Sequence, residues 1–319
     1  MIAGLLSALG AGLLWGLVFV TPLVLHDYPG LMLSIGRYLA FGLLALGLAW
    51  FDRRSLADLT RSDWIEAFKL ALIGNLLYYA TLSSAIQLAG APLPTLMIGT
   101  LPVVIAVCAN LIDRRDGGDE GVPWRRLALP LAVMLAGLAI VHADSPAATA
   151  STSATADNGR YLWGIALAVC ALACWTWYPI RNSRWLRARG AGLSRAWATA
   201  QGLATLPLAV LGALAYATWD GYAAAGSGFD WPLGPRPAVF VGMMALLGLC
   251  ASWLGTLLWN HASHHLPAAL VGQLIVFETL SALLYAFIWY RRWPSVAEAA
   301  GIALLVAGVL LGVRTFRRS

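Results

Sequence analysis

Ten apolar runs of about twenty residues follow one another along the 319-residue chain, at about 3–25, 31–51, 64–88, 92–112, 126–142, 161–180, 194–219, 237–260, 267–289 and 296–313. A helix needs ~20 apolar residues to cross a ~30 Å hydrocarbon core. Inside lipid the backbone must satisfy its own hydrogen bonds, so runs of this kind fold as helices. Breakers separate them, including HDYPG at 26–30, GAPLP at 90–94, PLGPRP at 232–237 and RRWPS at 291–295. Composition agrees: 60% of residues are hydrophobic and 11% charged, against ~25% charged in a soluble domain. The first run begins at residue 2 without a basic lead, which predicts a retained helix rather than a cleaved signal peptide. The expected fold class is all-α integral membrane, with ten transmembrane helices.

The formal net charge of +6 is no sign of nucleic acid, because the basic residues lie in short loops. If ten helices alternate, 15 arginines fall on one side: Arg53, Arg54, Arg61, Arg114, Arg115, Arg125, Arg126, Arg181, Arg184, Arg187, Arg189, Arg195, Arg314, Arg317 and Arg318. The other side holds Arg160, Arg236, Arg291 and Arg292. The excess of arginine predicts that both termini are cytoplasmic, in a cell inner membrane. The four cysteines, Cys108, Cys170, Cys174 and Cys250, all lie in apolar runs and read as small packing residues rather than disulfide or metal partners.

Residues 143–160, ADSPAATASTSATADNGR, form a low-complexity stretch near the middle of the chain, expected to be a flexible linker on the outer side. The two sides of it resemble each other. GLLSALGAGLLWG (4–16) aligns with GIALAVCALACWT (164–176), matching Trp15 to Trp175 at an offset of 160. LAGLAIV (135–141) aligns with VAGVLLG (306–312), and LAGAPLPTLMIGTLP (88–102) lies opposite HLPAALVGQLIVFE (265–278) at an offset near 176. Residues 1–142 and 161–319 therefore read as two five-helix repeats. An odd helix number inverts the second copy, the arrangement of many transporters with a midplane site between the halves.

These features together resemble the EamA-type branch of the drug/metabolite transporter superfamily: ten helices in two halves, Trp15-Gly16 in the first helix, Pro102 in the fourth, and LVAGVLLG (305–312) near the end. The chain looks most similar to the bacterial aromatic-amino-acid exporters (YddG-type). That resemblance implies export of aromatic amino acids or related metabolites by alternating access through a central cavity. One departure stands out. Where the first half has LPVV at Pro102, the aligned second half has FETL with Glu278.

Polar and aromatic residues within the runs are the candidates for function. Glu278 lies near the middle of VGQLIVFETLSALLYAFIW (271–289), where a charge costs ~2.5–3.5 kcal/mol on insertion scales and calls for a partner, a proton or a pathway role. Arg37, some six residues into the second run, either receives a substrate carboxylate or snorkels to the outer surface. Gln273 either contacts substrate or bonds between helices, as do Asn75, Gln87 and Gln201. Trp15, Tyr78, Tyr79, Trp175 and Trp253 either line a cavity for a flat ring or pack against neighbours. Trp163 is a candidate gate residue at the outer end of its run. Pro22, Pro102, Pro179 and Pro207 free backbone carbonyls, as hinges or as static kinks. The run His261-x2-His264-His265 lacks nearby acids or cysteines and reads as interfacial, so no metal is expected. No nucleotide-binding or hydrolase motif is present and no catalytic role or cofactor is expected. The leading expectation is a secondary transporter exporting small metabolites, with a small-molecule substrate and the lipid bilayer as its partners. The alternative is an intramembrane lipid-handling protein, either flippase or enzyme.

Overall fold

The computed structural model describes residues 2–25, 27–89, 92–115, 123–143, 158–189, 193–222 and 232–317. Most of the expected linker, 144–157, lies outside the described residues. All regular structure among the described residues is helical. In chain order it comprises α1 (Ile2–Val24), α2 (Gly30–Ala57), α3 (Arg61–Leu70), a π-helical segment (Ala71–Leu77), α4 (Tyr78–Ala89), α5 (Pro92–Gly99), α6 (Leu101–Arg115) and α7 (Trp124–Ala143). There follow α8 (Asn158–Arg189), α9 (Ser194–Tyr222), α10 (Pro237–Leu246), a second π-helical segment (Leu247–Leu254), α11 (Gly255–His265), α12 (Ala268–Leu274), α13 (Val276–Trp289) and α14 (Val296–Arg317). Among the described residues, seven helical stretches are long and apolar enough to cross a membrane, with shorter apolar helices at Leu101–Ile112 and Val296–Gly312.

Local chemistry explains the element ends. Thr60 caps α3: its hydroxyl accepts from the Asp63 amide at 3.3 Å, and Asp63 Oδ2 accepts from the Thr60 amide at 2.9 Å. Pro237 opens α10, where the missing N–H costs nothing. The run expected at 92–112 is interrupted at Thr100, just before Pro102, which has no amide to donate to the preceding turn. The run expected at 267–289 is interrupted at Ile275 without any proline. The run expected at 161–180 continues as helix to Arg189, because its polar end is held by carboxylates on α3.

Packing relies on small residues, since lipid offers apolar side chains no preference for one another. A Cβ on Gly12 of α1 would stand 2.5 Å from Phe277 Cβ and 2.9 Å from the Glu278 amide nitrogen of α13. Gly16 meets Ser281 of the same helix. Gly137 of α7 lies against the carbonyl of Gly301 on α14, while Gly308 of α14 lies against the carbonyl of Pro130 on α7. The remaining principal contacts join α1 to α11, α4 to α8, α2 to α9 and α6 to α12. Large apolar side chains such as Leu43, Leu211 and Ile288 are left on the outside, and polar groups such as Arg37, Asn182, Gln201 and Asn260 are inside.

Candidate functional site

Five rings from α1, α4, α8 and α11 meet in the interior. Trp175 and Tyr178 project from one face of α8, three residues apart. Trp175 stacks on Tyr78 at 4.5 Å between centroids and on Tyr178 at 5.1 Å. Trp15 meets Trp175 edge-on at 5.6 Å and Trp259 at 5.0 Å with a tilt of 46°. Trp15 donates its indole N–H to the Ala251 carbonyl at 2.8 Å, and Gly255 makes room for it: a Cβ there would stand 2.7 Å from Trp15 Nε1. Tyr78 directly follows the first π-helical segment and Ala251 lies in the second. Such widened turns re-aim side chains and recur at functional sites. The indole N–H groups of Trp175 and Trp259 are buried without hydrogen-bond partners.

Beside this box lie two opposite charges, each 7% exposed: Arg37 of α2 and Glu278 in the first turn of α13. Arg37 donates from Nε to the Ser252 hydroxyl at 3.0 Å. Its guanidinium carbon stands 5.2 Å from the Tyr38 ring centroid and 5.5 Å from that of Tyr79, a distance at which ring faces attract a cation. The side chain is thus directed inward and does not snorkel. Glu278 Oε2 is buried and has no hydrogen-bond partner. The backbone of Glu278 packs on Gly12 of α1, three residues before Trp15, so this carboxylate and the rings share one neighbourhood.

The other expected residues are scattered. Trp253 points toward the arginine-rich end and donates to Thr199 Oγ1 at 3.3 Å. Trp163 is 68% exposed on α8, away from the ring cluster. Gln273 is fully buried, with neither amide atom hydrogen-bonded, and packs against Gly312. Gln201 and Asn75 bond between helices, to Tyr178 at 2.8 Å and Thr205 at 3.4 Å. Gln87 lies within α4 and Pro22 in the last turn of α1. Pro179 and Pro207 lie inside α8 and α9, and Pro102 alone of the four candidate hinges adjoins a helix interruption. His261 pairs with the Ser7 hydroxyl at 2.9 Å.

Tyr38, Tyr178, Ser252 and Trp259 were not singled out from the sequence. The helical spacing from Trp175 was a usable signal for Tyr178, and adjacency to Arg37 for Tyr38. Nothing local marks Ser252 or Trp259. Below the box an amide ladder runs toward the arginine-rich end: Tyr178 to Gln201, Gln201 Nε2 to Asn182 Oδ1 at 3.1 Å, and Asn182 Nδ2 to Asn260 Oδ1 at 2.8 Å. At the opposite end Arg236 bonds the Asp27 carboxylate at 2.9 Å and the Val24 carbonyl at 2.7 Å. Its carboxylate partner holds the Arg236 guanidinium above the usual arginine range.

The family model of the EamA-like transporter family matches residues 2–115. The inner membrane protein YtfF of Escherichia coli (strain K12) is 47% identical over 315 residues, covering 98% of this chain and 96% of that protein. A crystal structure of another protein superposes with a TM-score of 0.74, covering 100% of this chain and 99% of that one; at 18% identity it shows a shared fold alone. Near-complete coverage by a relative this similar, together with the family match, means that the chain belongs to the EamA-like transporter family of the drug/metabolite transporter superfamily.

Proposed function

We propose that this protein is a secondary transporter of the cell inner membrane that exports small metabolites, aromatic amino acids above all, by alternating access between two inverted five-helix repeats. The observation that carries the substrate class is the buried pair of opposite charges, Arg37 and Glu278, beside rings drawn from both repeats. A zwitterion offers a carboxylate to Arg37 and an ammonium to Glu278. Its aromatic side chain fits the ring-lined wall of Trp15, Trp175 and Tyr78, by edge and face contacts.

The ten-span reading counts the seven long stretches, α5 with α6, α7, and α14. The repeats are 1–142 and 161–319; of the stretch 143–160 between them, Ala143 and residues 158–160 belong to α7 and α8, and the remainder is the outer-side linker. Several reciprocal features support the internal symmetry. The two π-helical segments begin at Ala71 and Leu247, separated by the same offset that relates 88–102 to 265–278. A Cβ on Gly4 would meet His265, and one on Gly164 would meet Ala89, positions that exchange under the repeat. The same holds for Gly137 against Gly301 and Gly308 against Pro130. Each repeat also has its fourth helix interrupted, at Thr100 and Ile275, as broken helices often are around transporter sites. The arginine bias supports cytoplasmic termini.

The test is counterflow of labelled tryptophan and phenylalanine in proteoliposomes containing this protein alone. Uptake above protein-free vesicles, competed by other aromatic amino acids and not by aliphatic ones, is expected. Uptake no faster than in empty vesicles for every amino acid refutes the reading, and acceleration of a labelled lipid instead favours a lipid-handling protein.

A further inference from the structure

Among the described residues, three ion pairs at the arginine-rich end cross from the first half of the chain to the second. Asp52 of α2 accepts from Arg195 of α9 at 2.6 Å, and its second oxygen accepts from the Thr199 hydroxyl at 2.7 Å. Asp63 of α3 accepts from Arg189 of α8 at 2.5 Å and from the Trp185 indole at 2.9 Å. Glu66 of α3 takes both arms of Arg181 of α8, at 2.5 and 3.2 Å. The three carboxylate side chains are 3%, 2% and 8% exposed, whereas their arginines are 59%, 39% and 50% exposed. Asp63 and Glu66 lie in the floor of a polar cleft of about 260 Å³, also lined by Ser62, Arg184 and Trp185. On the inner side of the cleft Trp185 stacks on the fully buried Trp197 at 3.5 Å between centroids. Trp197 donates to Asn182, the residue that links through Gln201 to Tyr178 of the aromatic box.

The opposite end is tied differently. Among the described residues, the ion pair that joins the halves there is Arg236 with Asp27, and its side chains are 37% and 30% exposed. A water-exposed pair is readily exchanged for solvent. A carboxylate buried under its guanidinium loses that charge partner when the pair parts, and has to be rehydrated. The two ends are therefore unequal, and the arginine-rich end is the tighter.

We propose that Asp52–Arg195, Asp63–Arg189 and Glu66–Arg181 are the latch of the gate at the arginine-rich end, and that all three part when solute passes between that side and the aromatic box. The inference rests on the alternating-access reading. It also gives the arginines a second role: those that orient the chain in the membrane hold it shut on that side. The ladder Trp197–Asn182–Gln201–Tyr178 carries the state of the latch to the ring that stacks on Trp175.

Cys174 is a built-in reporter, being buried and adjacent to Trp175. With Cys108, Cys170 and Cys250 replaced by alanine, a membrane-impermeant maleimide is added from the arginine-rich side of sealed vesicles. Arg181→Glu combined with Arg189→Ala is expected to raise the labelling rate of Cys174 by about tenfold or more, the shift from a mostly closed to a mostly open gate. Adding Glu66→Arg to Arg181→Glu, with Arg189 intact, restores the pair with its charges exchanged and is expected to return labelling to about twofold of the parent rate. Unchanged labelling in the broken-pair variant overturns the proposal. So does equally fast labelling in the exchanged variant, since it points to general loosening rather than to the pair. Transport is measured separately in the same vesicles. A parent protein that moves no solute fails the proposed function, while the labelling pattern still decides the latch.

Discussion

Gly12→Ala adds one methyl group at the place where α1 meets the backbone that carries Glu278, and its effect follows from the geometry. The new Cβ would stand 2.5 Å from Phe277 Cβ, 2.8 Å from the Phe277 carbonyl carbon and 2.9 Å from the Glu278 nitrogen, whereas ordinary contact begins at 3.4 Å. Two of the three neighbours are backbone atoms, so no rotamer change relieves the clash. The helices must separate by close to 1 Å, and Glu278 moves with α13. Overpacking of this kind costs about 1–3 kcal/mol, or some 2–4 °C in melting midpoint for each kcal/mol. A 1 Å displacement of a binding group costs up to about 100-fold in turnover. The matched control is Gly47→Ala in α2, where a Cβ meets nothing within 4 Å and helix propensity favours alanine by about 1 kcal/mol. The assay is a detergent melting curve together with aromatic amino acid transport in proteoliposomes. Gly12→Ala should melt lower and transport poorly, and Gly47→Ala should match or exceed the parent in both. If the two variants behave alike, the close approach at Gly12 does not position Glu278 and the argument fails.

Glu278→Gln keeps the shape and removes the charge that meets the ammonium, so it should raise KM for aromatic amino acids by about 30-fold or more and spare the corresponding aromatic carboxylic acids, which lack the ammonium; equal losses for both in flux assays would exclude Glu278 as the ammonium contact. Arg37→Met should raise KM for aromatic amino acids by about 30-fold or more, the size of losing a buried charge partner. The corresponding aromatic amines, which lack the carboxylate, should be spared, and equal losses for amines and amino acids would exclude Arg37 as the carboxylate contact. Trp163→Ala should change melting by less than about 0.5 kcal/mol equivalent and leave transport intact, as for an exposed side chain. A strong transport defect in that variant would restore Trp163 as a gate residue.

The membrane class, the approximate spans and the arginine asymmetry were legible because each is a local sum over some twenty residues, and burial in lipid depends on little else. Trp15 and Trp175, set opposite each other in the sequence at an offset of 160, meet at 5.6 Å between ring centroids. Hydropathy alone does not tell an inward from an outward side chain in such helices, since both faces are apolar. That is why Trp163 and Trp259 look alike in the sequence although one is 68% and the other 1% exposed. The two π-helical segments carry no proline signal, and only the neighbours packed on them reveal why those turns matter: Trp15 on the Ala251 carbonyl, and Tyr178 against Gly74. The decisive partnerships span far more chain than any motif. Arg37 meets Ser252 across 215 residues, and Asp52 meets Arg195 across 143. The sequence by itself determined that this chain lives in a bilayer, and which of its ionisable groups are dear enough there to need a reason. Which charges face each other, which rings form one wall and which end is held shut were decided only when the helices packed, because polar groups in a lipid solvent find their partners across helices rather than along them.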